Sequence, residues 1–542
     1  MNKKCLSIVL AAFLLAGAAP VASAGPLDGL AAMVSPGGNV RVTGLPQLEL
    51  IVVSDWRSPN MSLNTNLNYA KVDVGRSGRT VYAQVPDGSR GVRLRFDDPS
   101  FNALGRYDHV VLDLNGCFVS ADKKTGALTV SRLTPLNVVS RKGGSAADVP
   151  AKEKFISELT DADIFTFVTL KEVDFIFKDG AFSNIKENYG QYVEKYHSEY
   201  YKSMNWRMDG TLNLLRDSRG DVAALAVNTL CDWRRNGDGV PQGAGPCSGI
   251  ILREWNRRYG GYLCRYTLRP LDREDIRVDG KRKSSLWKTL TGWRLDGSSG
   301  NVLDYEKAGA TGKAQVGDRI FSDTGAKALL WCDAPAKTYT TEDWNNITTK
   351  GQGKVANGAV MFELPACEWF AWDNIGMVTG VHGIYAEFSS KKIKPGQKMQ
   401  LAFDICAGNV DMALSWGHPS RWKVEYSVDG GAFKALPGPD GAEYFFVRPL
   451  PCWDKTVQLP SEKRNYKTPY DCGLGLQPHA FNFPDDAVGH ERVTVRIVPA
   501  DTRWFALRAK PESGSESSSL RIGVTMTQKT LIRLGSLFID YK

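Results

Sequence analysis

The chain has 542 residues, a formal net charge of +9, 53 Gly, 14 Trp and 19 Tyr. At about 100 to 200 residues per domain this length predicts roughly three domains. The aromatic and glycine content favours sheets joined by turns and counts against helical bundles. A charge excess of this size names no partner by itself.

At the N-terminus Lys3 and Lys4 precede an apolar run from Cys5 to Ala19 and the small-residue site Ala22-Ser23-Ala24. That order is the pattern of a cleaved secretory signal over residues 1–24, with a mature chain from Gly25. The run is too short for a membrane anchor, and no later stretch offers about 18 consecutive apolar residues. The expectation is a soluble exported protein of the periplasm, cell surface or medium, with no transmembrane segment. Loss of Cys5 leaves nine cysteines, with no CxxC pair and no zinc-type spacing to histidine. Several, such as Cys406, sit in apolar strand patterns and read as small buried hydrophobes.

From 38 to 145 short alternating runs follow one another between turns such as Asp87-Gly88. In Gly91–Phe96 the residues Val92, Leu94 and Phe96 share one face, and Arg93 and Arg95 take the other. Five or six short strands in about 100 residues suit a small barrel, here an OB-like module. Residues 150–280 repeat the pattern, after a modest helical signal over Glu153–Asp163, and predict a second OB-like module. Residues 281–330, rich in Gly, Ser, Lys and Asp, read as a linker or irregular extension. Residues 331–542 carry the runs Leu401/Phe403/Ile405 and Trp422/Val424/Tyr426 and the turn Asp429-Gly430. They predict a C-terminal β-sandwich of jelly-roll type. The fold class is mostly β: two OB-like barrels, then a sandwich.

Val52-Val53-Ser54-Asp55 with Asn60, Gly91-Val92-Arg93-Leu94, Val168–Val173, Gly249-Ile250-Ile251-Leu252 and Leu268–Ile276 together resemble a domain of unknown function found in exported Bacteroidales proteins. The resemblance covers about residues 38–280, and it implies two OB-like modules and speaks to fold more than to chemistry. Phe388–Ile393 and Trp422–Ser427 with Asp429-Gly430 are similar to galactose-binding-like or adhesin-type sandwiches. Such OB-like pairs can precede an endonuclease/exonuclease/phosphatase domain, but this sequence has no Ser-Asp-His-Asn-type metal motif.

No reactive constellation stands out. Six histidines form no HExxH or HxH, and neither a GxSxG elbow nor a GxxxxGK[ST] loop is present. The sequence therefore predicts no catalytic residues, metal site or cofactor. Glu368, Asp373, Glu387, Asp404 and Asp411 could pair only if the fold brought two of them together, as an unrecognised hydrolase would need.

Two binding readings remain. Trp369, Trp372, Trp416, His418 and Trp453 lie in Gly- or Pro-containing segments of the C-terminal domain. An indole packs on the apolar C–H face of a sugar, so these five residues predict recognition of glycan, or of a surface protein; the competing role is filling the core, as for Trp422. In the second reading, Arg253 to Arg294 holds twelve Lys or Arg against five Asp or Glu, and Arg253, Trp255, Arg257, Arg258 and Arg265 interleave cations with rings. That mixture suits a polyanion, either extracellular nucleic acid or acidic polysaccharide.

Overall fold

The computed structural model describes residues 25–44, 47–63, 73–178, 182, 212–228, 231–235, 240–254, 263–278, 286–294, 328–332, 338–339, 360–364, 383–409, 418–419, 421–446, 477–500, 504–505, 520–521 and 530–542. Over these residues the protein is mostly β, as the sequence predicts, and no described helix is long and apolar enough to cross a membrane.

A helix that the sequence patterning does not announce, α1 (Pro26–Met33), buries Leu27 and Leu30 against the first barrel. There β1 (Asn39–Arg41), β2 (Leu48–Val52), the short helix α2 (Val74–Gly78), β3 (Thr80–Gln84), β4 (Gly91–Phe96), β5 (His109–Leu112), β6 (Phe118–Ala121), β7 (Leu128–Leu133) and β8 (Val138–Lys142) follow in order. The strands form one sheet in the order β1-β6-β7-β4-β3-β2-β5-β8. β4 shows the predicted alternation: Val92, Leu94 and Phe96 fill the barrel core, while Arg93 and Arg95 take the other face, Arg95 exposed and Arg93 covered by Phe165 of the second module. β4 runs parallel to β7, and the extra residue Arg132, at φ 64°, forms a bulge there. Residues 113–117 separate β5 from β6. β5 pairs with β2 and β6 with β7, so one barrel strand is split into two.

The second module closes. β9 (Glu153–Lys154) adds to one side of β10 (Phe167–Phe175), which is followed by β11 (Asn213–Arg216), β12 (Val222–Leu225), β13 (Ala244–Leu252) and β14 (Thr267–Arg269). The pairings run β10-β11-β12-β14-β13 and back to β10, with β12 and β14 parallel, which is the connectivity of an OB barrel. A one-residue register shift between Leu170 and Val173, with Glu172 at φ 50°, bends β10 so that it reaches both β13 and β11. The helical signal over 153–163 resolves into two 3-10 turns, Ile156–Glu158 and Asp161–Asp163, each closed by its own capping carboxylate.

Asn60, Gly91 and Arg269–Leu271, from the segments that carry the resemblance, lie with their neighbours at the joint between the modules. The Asn60 amide donates to the Ala226 carbonyl at 3.1 Å and to that of Pro270, and its Oδ1 accepts the Asn228 N–H at 2.6 Å. Ser58 donates to the Leu271 carbonyl, and Arg269 to that of Ser62. Tyr82 stacks on Phe165 at 5.2 Å. Gly91 is required at this joint, because a Cβ there would lie 2.4 Å from the Phe165 carbonyl carbon.

The sandwich begins within the segment read as a linker. β15 (Lys288–Arg294) pairs with the last strand of the chain. It is followed by β16 (Ala328–Cys332), β17 (Thr338–Tyr339), β18 (Val360–Leu364), β19 (Ile384–Phe388), β20 (Met399–Asn409), β21 (His418–Pro419), β22 (Arg421–Val428), β23 (Lys434–Leu436), β24 (Phe445–Phe446), β25 (Gln477–Asn482), β26 (Val493–Pro499), β27 (Trp504–Phe505), β28 (Leu520–Arg521) and β29 (Thr530–Tyr541). One sheet is β17-β18-β29-β20-β25 with β15. The other is β16-β19-β26-β22-β23 with β24. Leu401, Phe403, Phe481 and Leu537 meet Phe388, Trp422, Tyr426 and Val495 in the core between them, so Trp422 packs where its alternation puts it.

The outer face of the first sheet covers the second barrel. Ala402, Ala480 and Phe538 pack on Ile176, Leu214 and Ala224, the two alanines leaving room for the barrel to approach. At the centre of this seam Arg216, 1% exposed, bonds Asp174 at 3.0 Å and Asp540 at 2.6 Å and lies under the Trp287 ring at 4.6 Å. Gln400 and Asn482 both donate to the Gly220 carbonyl.

Candidate functional site

Trp369, Trp372, Trp416 and Trp453 lie outside the described residues, and of His418 the backbone is described, in β21. The strands that bracket them are described, and their register fixes where the connections start and finish. In the first sheet Leu364, the end of β18, and Asn409, the end of β20, both pair with Thr530, the start of β29. Gln477, the start of β25, pairs with Ile405 toward the same end. In the second sheet Ile384, the start of β19, is opposite Ile497. Trp422, near the start of β22, pairs with Pro499 at the end of β26 and with Phe445 in β24.

The connections 365–383, 410–420, 447–476 and 500–529 therefore all join these two sets of strand ends, at one pole of the sandwich. They carry Trp369 and Trp372, then Trp416 and His418, then Trp453. The two-residue strands β21, β27 and β28 pair with one another in a small third sheet that links two of these connections. The opposite pole holds 389–398, the hairpin at Asp429-Gly430 with both residues at positive φ, and 483–492. Connections between strand ends at one pole of a sandwich are where such scaffolds place recognition residues.

The core beneath this pole is polar, which the sequence reading missed. Gln477, His479 and Phe481 point inward from β25, and the first two lie nearest the pole. The His479 ring is buried 4.4 Å from that of Phe445 and 5.5 Å from that of Phe403, and its Nε2 has no hydrogen-bond partner. Burial pulls its pKa down to about 3, so the ring is neutral. Arg421, at the start of β22, stacks its guanidinium over Tyr444 at 4.5 Å. The signal available in sequence was a histidine inside the alternating run Gln477–Asn482, where an apolar residue is the norm.

Among the polyanion candidates, Trp255, Arg257 and Arg258 lie outside the described residues. Arg253 approaches Asp122 at 3.8 Å, and Arg265 pairs with Asp161 at 2.9 Å while donating to the Tyr266 hydroxyl. The described members of this group are thus engaged with carboxylates.

Of the candidate acids, Glu387 accepts from the Thr494 hydroxyl in one sheet and Asp404 from the Ser536 N–H in the other; Glu368, Asp373 and Asp411 lie outside the described residues. Cys117, Cys231, Cys247 and Cys264 are buried free thiols, and burial pushes that of Cys117 up to about 11. Such thiols are poor nucleophiles. No metal-ligating group of three or more side chains occurs among the described residues.

No family model matches the chain, and no curated protein matches it. Among solved structures it is similar in part to the enzymatically active domain of tailspike protein 4 of bacteriophage CBA120, at 9% identity and TM-score 0.15 over 39% of this chain and 19% of that one. It is also similar to an exo-beta-1,3-galactanase from Phanerochaete chrysosporium with beta-1,3-galactotriose, at 8% identity and TM-score 0.18 over 85% of this chain and 66% of that one. The chain thus spans about a fifth of the tailspike domain and just under two thirds of the galactanase. Both scores lie far below the level at which two folds correspond, and neither likeness carries an argument.

Proposed function

We propose that this is an exported, non-catalytic binding protein that recognises a glycan at the tryptophan-bearing pole of its C-terminal sandwich. The observation that supports the reading is the strand register. It brings to one end of a rigid scaffold the described strand ends between which the segments bearing Trp369, Trp372, Trp416, His418 and Trp453 run. An indole offers a flat apolar surface for the C–H face of a pyranose, and neighbouring polar groups bind the hydroxyls. The described core is already filled by Phe388, Phe403, Trp422 and Phe481. Export rests on the signal-like residues 1–24, and absence of catalysis on the lack of a nucleophile, base or metal motif in the sequence.

The test is a glycan array and affinity electrophoresis on the chain from Gly25 onward. Trp369→Ala and Trp416→Ala should each weaken binding by about tenfold or more, as for aromatic residues central to an interface, with the melting transition retained. Absence of binding to every glycan, or variants that lose binding only by unfolding, would sink the reading. Release of reducing ends from a bound polysaccharide would replace it with a hydrolase.

A further inference from the structure

Beside the joint with the second module the first barrel gathers four arginines, none of which forms an ion pair among the described residues, although Asp98 and Asp122 act on Arg79 and Arg93 from farther off. Register places Arg95 of β4 between Thr80 of β3 and Ser131 of β7, and Arg93 between Tyr82 and Thr129. Helix α2 adds Arg76, whose carbonyl accepts the Thr80 hydroxyl at 2.8 Å, and Arg79 follows the helix directly. Arg93 is held by Thr129 Oγ1 at 3.0 Å and lies over the Phe165 ring at 5.5 Å. Arg79 donates to the carbonyls of Gly75 and Asp97.

None of these partners is an acid, and none of the four arginines forms an ion pair among the described residues. Elsewhere Arg57, Arg90, Arg141, Arg216, Arg219 and Arg265 each meet an Asp or Glu within hydrogen-bonding distance. Burial, then repulsion from Arg93, Arg76 and Arg79, pulls the Arg95 pKa below its ordinary value. The four charges feel one another.

We infer that this row is a second recognition surface, independent of the sandwich pole, for an acidic polysaccharide bearing sulfate or uronate groups. Three features select that occupant. Arg95 is exposed on β4 beside Thr80, and α2 brings Arg76 and Arg79 to the same end of the strand pair, with Arg93 half-buried behind them, so several charges lie close together as a polymer's anions do. A planar guanidinium matches sulfate and carboxylate in two-point geometry. Single-stranded nucleic acid also needs open rings for its bases, whereas Tyr82 and Phe165 on this face are buried against each other.

The experiment titrates the chain from Gly25 onward with heparin, polygalacturonate and oligodeoxythymidine. Both polysaccharides should bind, with oligodeoxythymidine about tenfold weaker. The triple variant Arg76→Ser/Arg79→Ser/Arg95→Ser should lose binding, each lost arginine flattening the salt dependence by about one unit of log–log slope. Trp369→Ala should leave heparin affinity unchanged, which separates this surface from the pole. If heparin and polygalacturonate fail to bind, if the triple variant binds like the parent, or if oligodeoxythymidine binds tightest, the assignment falls. Should the triple variant not fold, phenylglyoxal labelling of the parent decides: heparin should slow modification of Arg76, Arg79 and Arg95, and equal rates with and without heparin overturn the inference.

Discussion

Arg216 and Arg95 are the same side chain in two opposite settings. Arg216 sits in the seam between the second barrel and the sandwich, sealed from water and held by one carboxylate from each side. Arg95 stands exposed on the first barrel, with three other arginines and no acid for company. A buried guanidinium persists only where fixed partners replace its water, so Arg216 is committed to structure. An exposed one keeps its hydration and can exchange it for a ligand's anion. Position relative to carboxylates, more than the count of basic residues, separates the two roles.

The harshest way to break this contrast is Arg216→Met. The change takes from Asp174 and Asp540 the cation that they share, leaving Asp174 with Lys178 at 3.8 Å and Asp540 with the Thr289 hydroxyl, and breaking a buried pair in this way costs about 3 to 5 kcal/mol. Denaturant unfolding followed by tryptophan fluorescence should show that loss, or a separate early transition as sandwich and barrel part. A loss below about 1 kcal/mol would mean that the seam is held by the apolar packing of Ala402, Ala480 and Phe538 and the hydrogen bonds to Gly220, with little from the Arg216 pair.

His479 supplies the intermediate case, a ring whose Nε2 is buried without a hydrogen-bond partner and which escapes the cost by staying neutral. Its pKa is held down to about 3 by burial, against 6.5 in the unfolded chain. The unfolded state therefore takes up a proton first as pH falls. Its contribution to stability is complete above pH 6.5 and is lost progressively down to about pH 3, at about 1.4 kcal/mol per pH unit. His479→Phe should remove that slope. Parallel stability-versus-pH curves for parent and variant would show that the ring reaches water.

Much of the scaffold was legible because burial imposes a period of two on strands. Val92, Leu94 and Phe96 against Arg93 and Arg95, and Trp422 with Val424 and Tyr426, could be assigned to faces from letters alone. What could not be read depends on register and long-range pairing. Nothing in Asp113–Cys117 announces that one barrel strand is split there. Lys288–Arg294 looks like a linker because its partner, β29, lies at the other end of the chain. Gathering of the tryptophan-bearing connections at one pole follows from pairs such as Asn409 with Thr530. The clustering of Arg76 and Arg79 with Arg93 and Arg95 likewise needs the β3–β4 ladder. Counting charge along the sequence pointed to Arg253–Arg294, where Arg265 proves to be paired.

The mildest change bears on the other half of the contrast. Arg95→Ser removes a side chain whose nearest charged neighbours are all of its own sign. Surface substitutions of this kind move stability by no more than about 0.5 kcal/mol, and relief of repulsion gives the small change a stabilising sign. The effect should appear at low ionic strength and fade as salt screens the neighbours, because at 0.15 M charges act over only about 8 Å. Melting curves at low and high salt test both parts. A destabilised Arg95→Ser at low salt would mean that Arg95 has a stabilising partner, and the first barrel's arginines would then belong with Arg216 as structural charges.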